Sequence, residues 1–194
     1  MDGKRWPRDT SDRGLNWYFG PSTFHPHPRG GFRAQKSQAD MVYCMMLDDI
    51  GTRVALNSLD ACPPSWIIET SPGNFQAGYI LDRPVSAAGG QADALNKAFI
   101  AAGLCDPGAT GAATRWARLP VAVNGKAKYG YPSPRCRLAQ WHPERRYSIG
   151  QMVDRLGLTL PVDDRPRVDT TQAQQTGGPV DWDQVRSATG SPGR

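Results

Sequence analysis

MVYCMML, residues 41–47, is a continuous apolar run that stops at Asp48-Asp49-Ile50-Gly51. A strand wetted on one side alternates apolar and polar residues, so an unbroken run predicts a strand covered on both faces. SWIIET (65–70) predicts a second strand, and Ser71-Pro72-Gly73-Asn74 predicts a tight turn. FQAGYIL (75–81) alternates well enough to be the returning strand of a hairpin. Two acids are therefore left at the end of a buried strand, beside a hairpin whose turn is rich in short polar side chains.

Working outward, LNWYFGPSTF (15–24) reads as a strand interrupted at Gly20-Pro21, and HPHPRGG (25–31) as a loop. The two histidines of that loop have the spacing of a metal-ligand pair, but their proline flanks make a rigid turn the better reading. GQADALNKAFIAA (90–102) sets Ala94, Leu95, Ala98, Phe99 and Ala102 at helical spacing, with Gly103 as a C-cap. Residues 106–113 form a small-residue loop. RWARLPVAV (115–123) is extended, Asn124-Gly125-Lys126 turns, and RCRLAQW (135–141) alternates as a strand does. Ser148 opens a last helix to Leu156, with Gln151 three residues on to complete a capping box.

These elements predict an α+β domain over 15–160, preceded by a flexible arm at 1–14. After Pro161 large apolar residues become scarce and Gly, Pro, Gln, Ser and Thr dominate, so 161–194 reads as a linker towards a further region. Within it Val180-Asp181-Trp182-Asp183 would open another helix. The chain of 194 residues suits one buried domain plus a tail, and it contains no internal repeat.

The formal net charge is +5 and the sequence pI about 9.2. The distribution says more than the total. Between Thr114 and Arg146 stand Arg115, Arg118, Lys126, Lys128, Arg135, Arg137, Arg145 and Arg146 against Glu144 alone. Such a stretch points to nucleic-acid or nucleotide phosphate. The cysteines at 44, 62, 105 and 136 lie far apart with no CxxC pair, which argues against a structural zinc site. Cys44, inside the apolar run, reads as a buried free thiol suited to a reducing compartment. The polar start has no signal-peptide core and no window is apolar enough to cross a bilayer, so a cytoplasmic protein is expected.

Adjacent carboxylates repel, and a hard divalent cation between them is the simplest remedy. Phosphoryl and nucleotidyl transfer use Mg²⁺ or Mn²⁺ in this way. Successive residues of a regular strand point to opposite faces, so gripping one ion requires a bend or bulge, for which Gly51 offers the break. Ser71, Asn74 and Gln76 supply short polar groups around a turn where Gly73 lets a phosphate approach the backbone. Arg115 and Arg118 fall on opposite faces of an extended segment, one for a triphosphate and one for DNA. Trp116 between them suits either a stacking or a core role.

Three blocks, MMLDDIGTRV (45–54), IIETSPGNFQAGYIL (67–81) and TRWARLPVAVNGK (114–126), resemble the RepB-like primases of plasmids and phages, a branch of the archaeo-eukaryotic primase-polymerase superfamily. The resemblance spans about residues 15–160, and ETSPGNFQA is its most specific part. It implies an RRM-like mixed sheet with flanking helices, and primer synthesis or DNA extension from NTPs or dNTPs on a single-stranded DNA template. It implies that Asp48 and Asp49 hold Mg²⁺ or Mn²⁺. It assigns Ser71, Asn74 and Gln76 to nucleotide binding, Gln76 standing where many relatives have histidine. Arg115, Arg118, Asn124 and Lys126 fall in register with the family's third motif and join the nucleotide-binding set. The aspartate of that motif is Ala112 here, leaving Asp106 or Glu69 as the substitute third acid. A helicase partner, as a linked domain or a separate protein, is implied too. The alternative is a catalytically weak or inactive module that binds single-stranded or origin DNA in support of a helicase.

Overall fold

The computed structural model describes residues 16–31 and 33–161. The arm at 1–14, the linker beyond 161 and the helix expected from Val180 lie outside the described residues. In chain order the elements are β1 (Tyr18–Phe19), β2 (Ser22–Phe24), β3 (Ala39–Ile50), β4 (Trp66–Ser71) and β5 (Asn74–Ser86). They continue as α1 (Gln91–Ala101), β6 (Ala117–Arg118), β7 (Arg137–Trp141), β8 (Arg146–Tyr147) and α2 (Ile149–Leu156). Short 3-10 turns stand at Lys36–Gln38, Leu56–Leu59, Ala112–Thr114 and Ala127–Tyr129.

The main sheet has six strands in the order β2-β3-β5-β4-β7, with β8 added in parallel to β5. The other pairings in it are antiparallel, and β1 and β6 form a small sheet of their own. The class is α+β, as expected. β3 and β5 are longer than the sequence suggested, because their polar ends remain paired after the apolar run has stopped. The extended segment at 115–123 narrows to two paired residues, Ala117 and Arg118.

The unbroken apolar run of β3 is explained by two cores. Met45 and Leu47 face Leu95, Ala98 and Phe99 of α1 and Met152 of α2. Cys44 and Met46 face the other way, against Trp66, Ile68, Ala117, Ala122 and Cys136. Each large side chain so buried stabilises the fold by roughly 1.5–3 kcal/mol. Gly78 lies directly across the ladder from Trp66, and a Cβ there would be 2.0 Å from the indole Cε2. The glycine lets the indole lie flat on the backbone of β5.

Both helices end as their sequences dictate. Gly103 (φ 70°) follows α1, its N–H bonding Ile100 O while Leu104 N bonds Phe99 O, the paired contacts of a Schellman motif. Ser148 Oγ accepts from Gln151 N (3.1 Å) and Gln151 Oε1 accepts from Ser148 N (2.9 Å), completing the capping box. All four cysteines are buried and free. Burial pushes the Cys44 thiol up to about 12, against a weaker opposing pull from hydrogen bonds to Trp66 and Tyr79. Among the described residues no helix is long and apolar enough to cross a membrane.

Candidate active site

The acidic pair sits in a bulge. Leu47 pairs with Ala77 and Ile50 with Phe75, so β3 takes three steps where β5 takes two. The extra residue is absorbed at Asp49, whose φ of 61° is left-handed, a conformation aspartate tolerates better than most residues. The break therefore falls on the acid itself rather than on Gly51. Asp49 O accepts the N–H groups of Arg53 (3.0 Å) and Val54 (3.1 Å) and the Thr52 hydroxyl (3.1 Å), which closes the following turn. A Cβ on Gly51 (φ 86°) would be 2.5 Å from Gly73 O, so this turn packs directly on the turn between β4 and β5. Thr52 Oγ1 bridges the two turns to Asn74 Oδ1 at 3.1 Å.

Asp48 is positioned by hydrogen bonds. Its Oδ1 accepts from Asp49 N (2.9 Å) and its Oδ2 from Gln76 Nε2 (3.2 Å). The other end of the same amide, Gln76 Oε1, accepts from Arg118 N at 2.9 Å. A neutral amide donates and accepts at once, so Gln76, only 6% exposed, ties the acidic strand to the basic segment without adding charge.

Asp49 and Asp106 share one arginine. Arg53 Nη1 lies 2.7 Å from Asp106 Oδ1, and Arg53 Nε lies 3.5 Å from Asp49 Oδ2. Pairs as exposed as this contribute only about 0–1 kcal/mol, so the guanidinium is held loosely. Of the two acids left open as a third member, Asp106 is the one brought one guanidinium away from Asp49. Glu69 is occupied elsewhere. It accepts from Gly73 N at 3.0 Å and forms a close ion pair with Arg137. The Gly73 N–H first, and Arg137 next, hold its carboxyl below the usual range. Ala112 is buried, and its N–H donates to Asp93 Oδ1 at 3.1 Å.

The donor chemistry of Asp48, Asp49 and Asp106 suits a hard divalent ion. Among the described residues, however, no three acids, histidines or cysteines are gathered around one point. Arg53 supplies the countercharge in the arrangement described.

Most of the remaining residues singled out in the sequence have partners of their own. Ser71 Oγ is 2.7 Å from Tyr129 OH, a bond that draws the phenol below its ordinary value. Arg115 Nη1 donates to Ala109 O (2.7 Å) and approaches Cys105 Sγ (3.6 Å). Cys105 is close to Asp48 as well: burial raises its thiol, while Arg115 and the Asp48 N–H pull it down. Arg118, 4% exposed, donates to Asn16 Oδ1 (2.8 Å) and Val123 O (3.1 Å) under the Tyr18 ring. Asn124 is buried and donates to Thr70 O at 2.7 Å. Lys126 is exposed at the mouth of the loop that carries Tyr129, and Trp116 is half exposed.

Thus Arg118 and Asn124 hold the loops together, whereas Arg53, Lys126 and Lys128 offer charge to solvent. Thr52, Arg53 and Tyr129 were missed from the sequence. Arg53 had one local signal, its position four residues after Asp49; Tyr129 had none.

The described residues thus combine a mostly antiparallel sheet, two helices on one face and an acidic bulge at a strand end. The chain is similar to the AEP domain of the cyanophage S-2L primase-polymerase, with a TM-score of 0.54 and 18% identity over 73% of this chain and 70% of that one. It is also similar to the catalytic domain of primase RepB′ in complex with initiator DNA, with a TM-score of 0.46 and 21% identity over 62% and 60% of the two chains. A second RepB′ structure gives 0.46 and 21% over 78% and 46%. The cyanophage domain, the neighbour with the higher TM-score, shares its fold with this chain and belongs to the superfamily that the three sequence blocks resemble. No family model and no curated protein matches the chain.

Proposed function

We propose that this chain carries out template-directed nucleotidyl transfer, as primer synthesis, DNA extension or both, in phage or plasmid replication. The observation that supports it most is the bulge that turns Asp48 and Asp49 out at the strand end of this fold, with Gln76 fastening Asp48 to the basic segment. The substrates on this reading are NTPs or dNTPs and a single-stranded DNA template.

Asp48 and Asp49 would hold Mg²⁺ or Mn²⁺, and Asp106 would join them once the ion replaced the Arg53 guanidinium between it and Asp49; the ion would neutralise phosphate charge and favour the attacking hydroxyl. Asp48 keeps its orientation through two hydrogen bonds, so its oxygens reach a reacting group without first reorganising. Lys126, Lys128 and Arg53 are exposed enough to meet the triphosphate or the template backbone. Asn74 would line the approach with the buried Ser71 and Gln76 behind it, and Gly73, where an added Cβ would meet nothing within 4 Å, would admit a phosphate close to the main chain. Arg115 and Arg118 keep the walls in place. A helicase, as a linked domain or a separate protein, is the partner on this reading.

The test incubates the protein with Mg²⁺ or Mn²⁺, labelled NTPs or dNTPs and single-stranded DNA. Wild type is expected to yield labelled oligonucleotides and an Asp48→Ala, Asp49→Ala variant none. Equal yields would remove the assignment. DNA binding with no synthesis by wild type would mark the chain as a binding module.

A further inference from the structure

We propose that the apolar cavity between β1, β4 and β7 is a stacking subsite for one base of a single-stranded nucleic acid, apart from the acidic corner. The proposal rests on the reading of this chain as one that handles a template.

The cavity has a volume of about 360 Å³ and is lined by Phe19, Trp66, Ile68, Pro120, Leu138 and Trp141. Its outer wall is built by a register shift. Trp141 pairs with Trp66 and Leu138 with Ile68, three steps on β7 against two on β4. Residues three apart on a regular strand face opposite ways; the extra residue turns Leu138 and Trp141 to the same side. Trp141 is nonetheless 57% exposed and Leu138 45%. The floor is the Trp66 indole, held flat by Gly78 and met edge-on by Phe19 at 5.7 Å between ring centroids.

Two features choose the occupant. The walls offer aromatic faces and no hydrogen-bonding group, which suits any base, because every base has a π-face. Arg145 donates to Pro64 O, two residues before Trp66, and the exposed Arg137 stands next to Leu138 on β7, so guanidinium groups frame the cavity and complement phosphate. An apolar peptide needs the cavity but not the frame. Ile68 moreover lies directly across the ladder from Gln76, which fastens Asp48. Two strand spacings, roughly 10 Å, separate it from the acidic strand.

The test compares binding of oligo(dT) and of an abasic oligonucleotide of equal length by fluorescence anisotropy, using the full chain. Wild type is expected to prefer oligo(dT) about tenfold. Trp141→Ala should lose most of that preference while its affinity for the abasic strand stays unchanged, and Trp141→Phe should restore it. With Trp141 more than half exposed the alanine variant should keep its fold, which thermal melting by circular dichroism verifies. No preference in wild type, an equal loss on both oligonucleotides, or an undiminished preference in Trp141→Ala would each overturn the subsite. The Asp48→Ala, Asp49→Ala variant should keep the preference. Failure of synthesis with the preference intact therefore counts against the proposed function alone.

Discussion

The two faces of the central sheet are finished in different ways. One is covered by α1 and α2, whose apolar side chains interlock with Met45, Leu47, Ala77 and Tyr79. The other is covered by the largely irregular segment from Ala117 to Cys136, and its burial includes Gln76, Arg118 and Asn124. The helix face is mainly apolar packing, its buried Asn96 amide and Tyr79 hydroxyl each donating to a backbone carbonyl, while the loop face spends polar groups on fixing an acid. On the proposed function, stability and chemistry are thereby separated across one sheet.

That separation can be broken first at the helix face. Phe99 is fully buried and stacks on Tyr79 at 6.0 Å. Phe99→Ala is expected to lower stability by about 3–5 kcal/mol in denaturant titration. Nucleotide incorporation per folded molecule should be unchanged. A specific loss of activity in the folded fraction would show that the faces are coupled.

The loop face should respond the other way. Gln76→Leu keeps the volume but removes both hydrogen bonds of the amide. Incorporation is expected to fall roughly ten- to hundredfold, the range for a residue that holds a catalytic group in place. The accompanying stability loss should be smaller, about 1–3 kcal/mol for the groups left unpaired. A variant that unfolds without altering turnover would make Gln76 a core residue only.

The smallest effect is expected at Glu69. Its carboxyl is held below the ordinary range, so it contributes stability above that range and loses it as pH falls through the ordinary value towards the lowered one. Thermal melting from neutral pH downward should show a steeper decline for wild type than for Glu69→Gln. Identical slopes would mean that the Arg137 pair and the Gly73 contact do not report on folding.

The same contrast governs what the sequence could tell. The helices were legible because their signals are local: Ser148 with Gln151 at one end, Gly103 at the other, and apolar spacing between. The β4–β5 hairpin was legible through Pro72-Gly73. The bulge was expected because two neighbouring acids cannot share a face on a regular strand, but it was placed at Gly51 rather than Asp49. What lay hidden depends on distant partners. Ser71 meets Tyr129, Asn124 meets Thr70, and Arg53 meets Asp106, each across more than fifty residues. The choice between Asp106 and Glu69 was open for the same reason. The register that sets Glu69 opposite Arg137 is a property of the assembled sheet.

The central claim, that the Asp48 carboxylate on the loop face serves nucleotidyl transfer, is tested most directly by an isosteric change. Asp48→Asn keeps the side-chain shape but sets an NH₂ group against one of the donors from Asp49 N and Gln76 Nε2, so it should stay folded with a stability loss of about 1–3 kcal/mol. Labelled nucleotide incorporation on single-stranded DNA with Mg²⁺ or Mn²⁺ is expected to drop at least about a hundredfold. Incorporation equal to wild type by a folded Asp48→Asn protein would contradict the account.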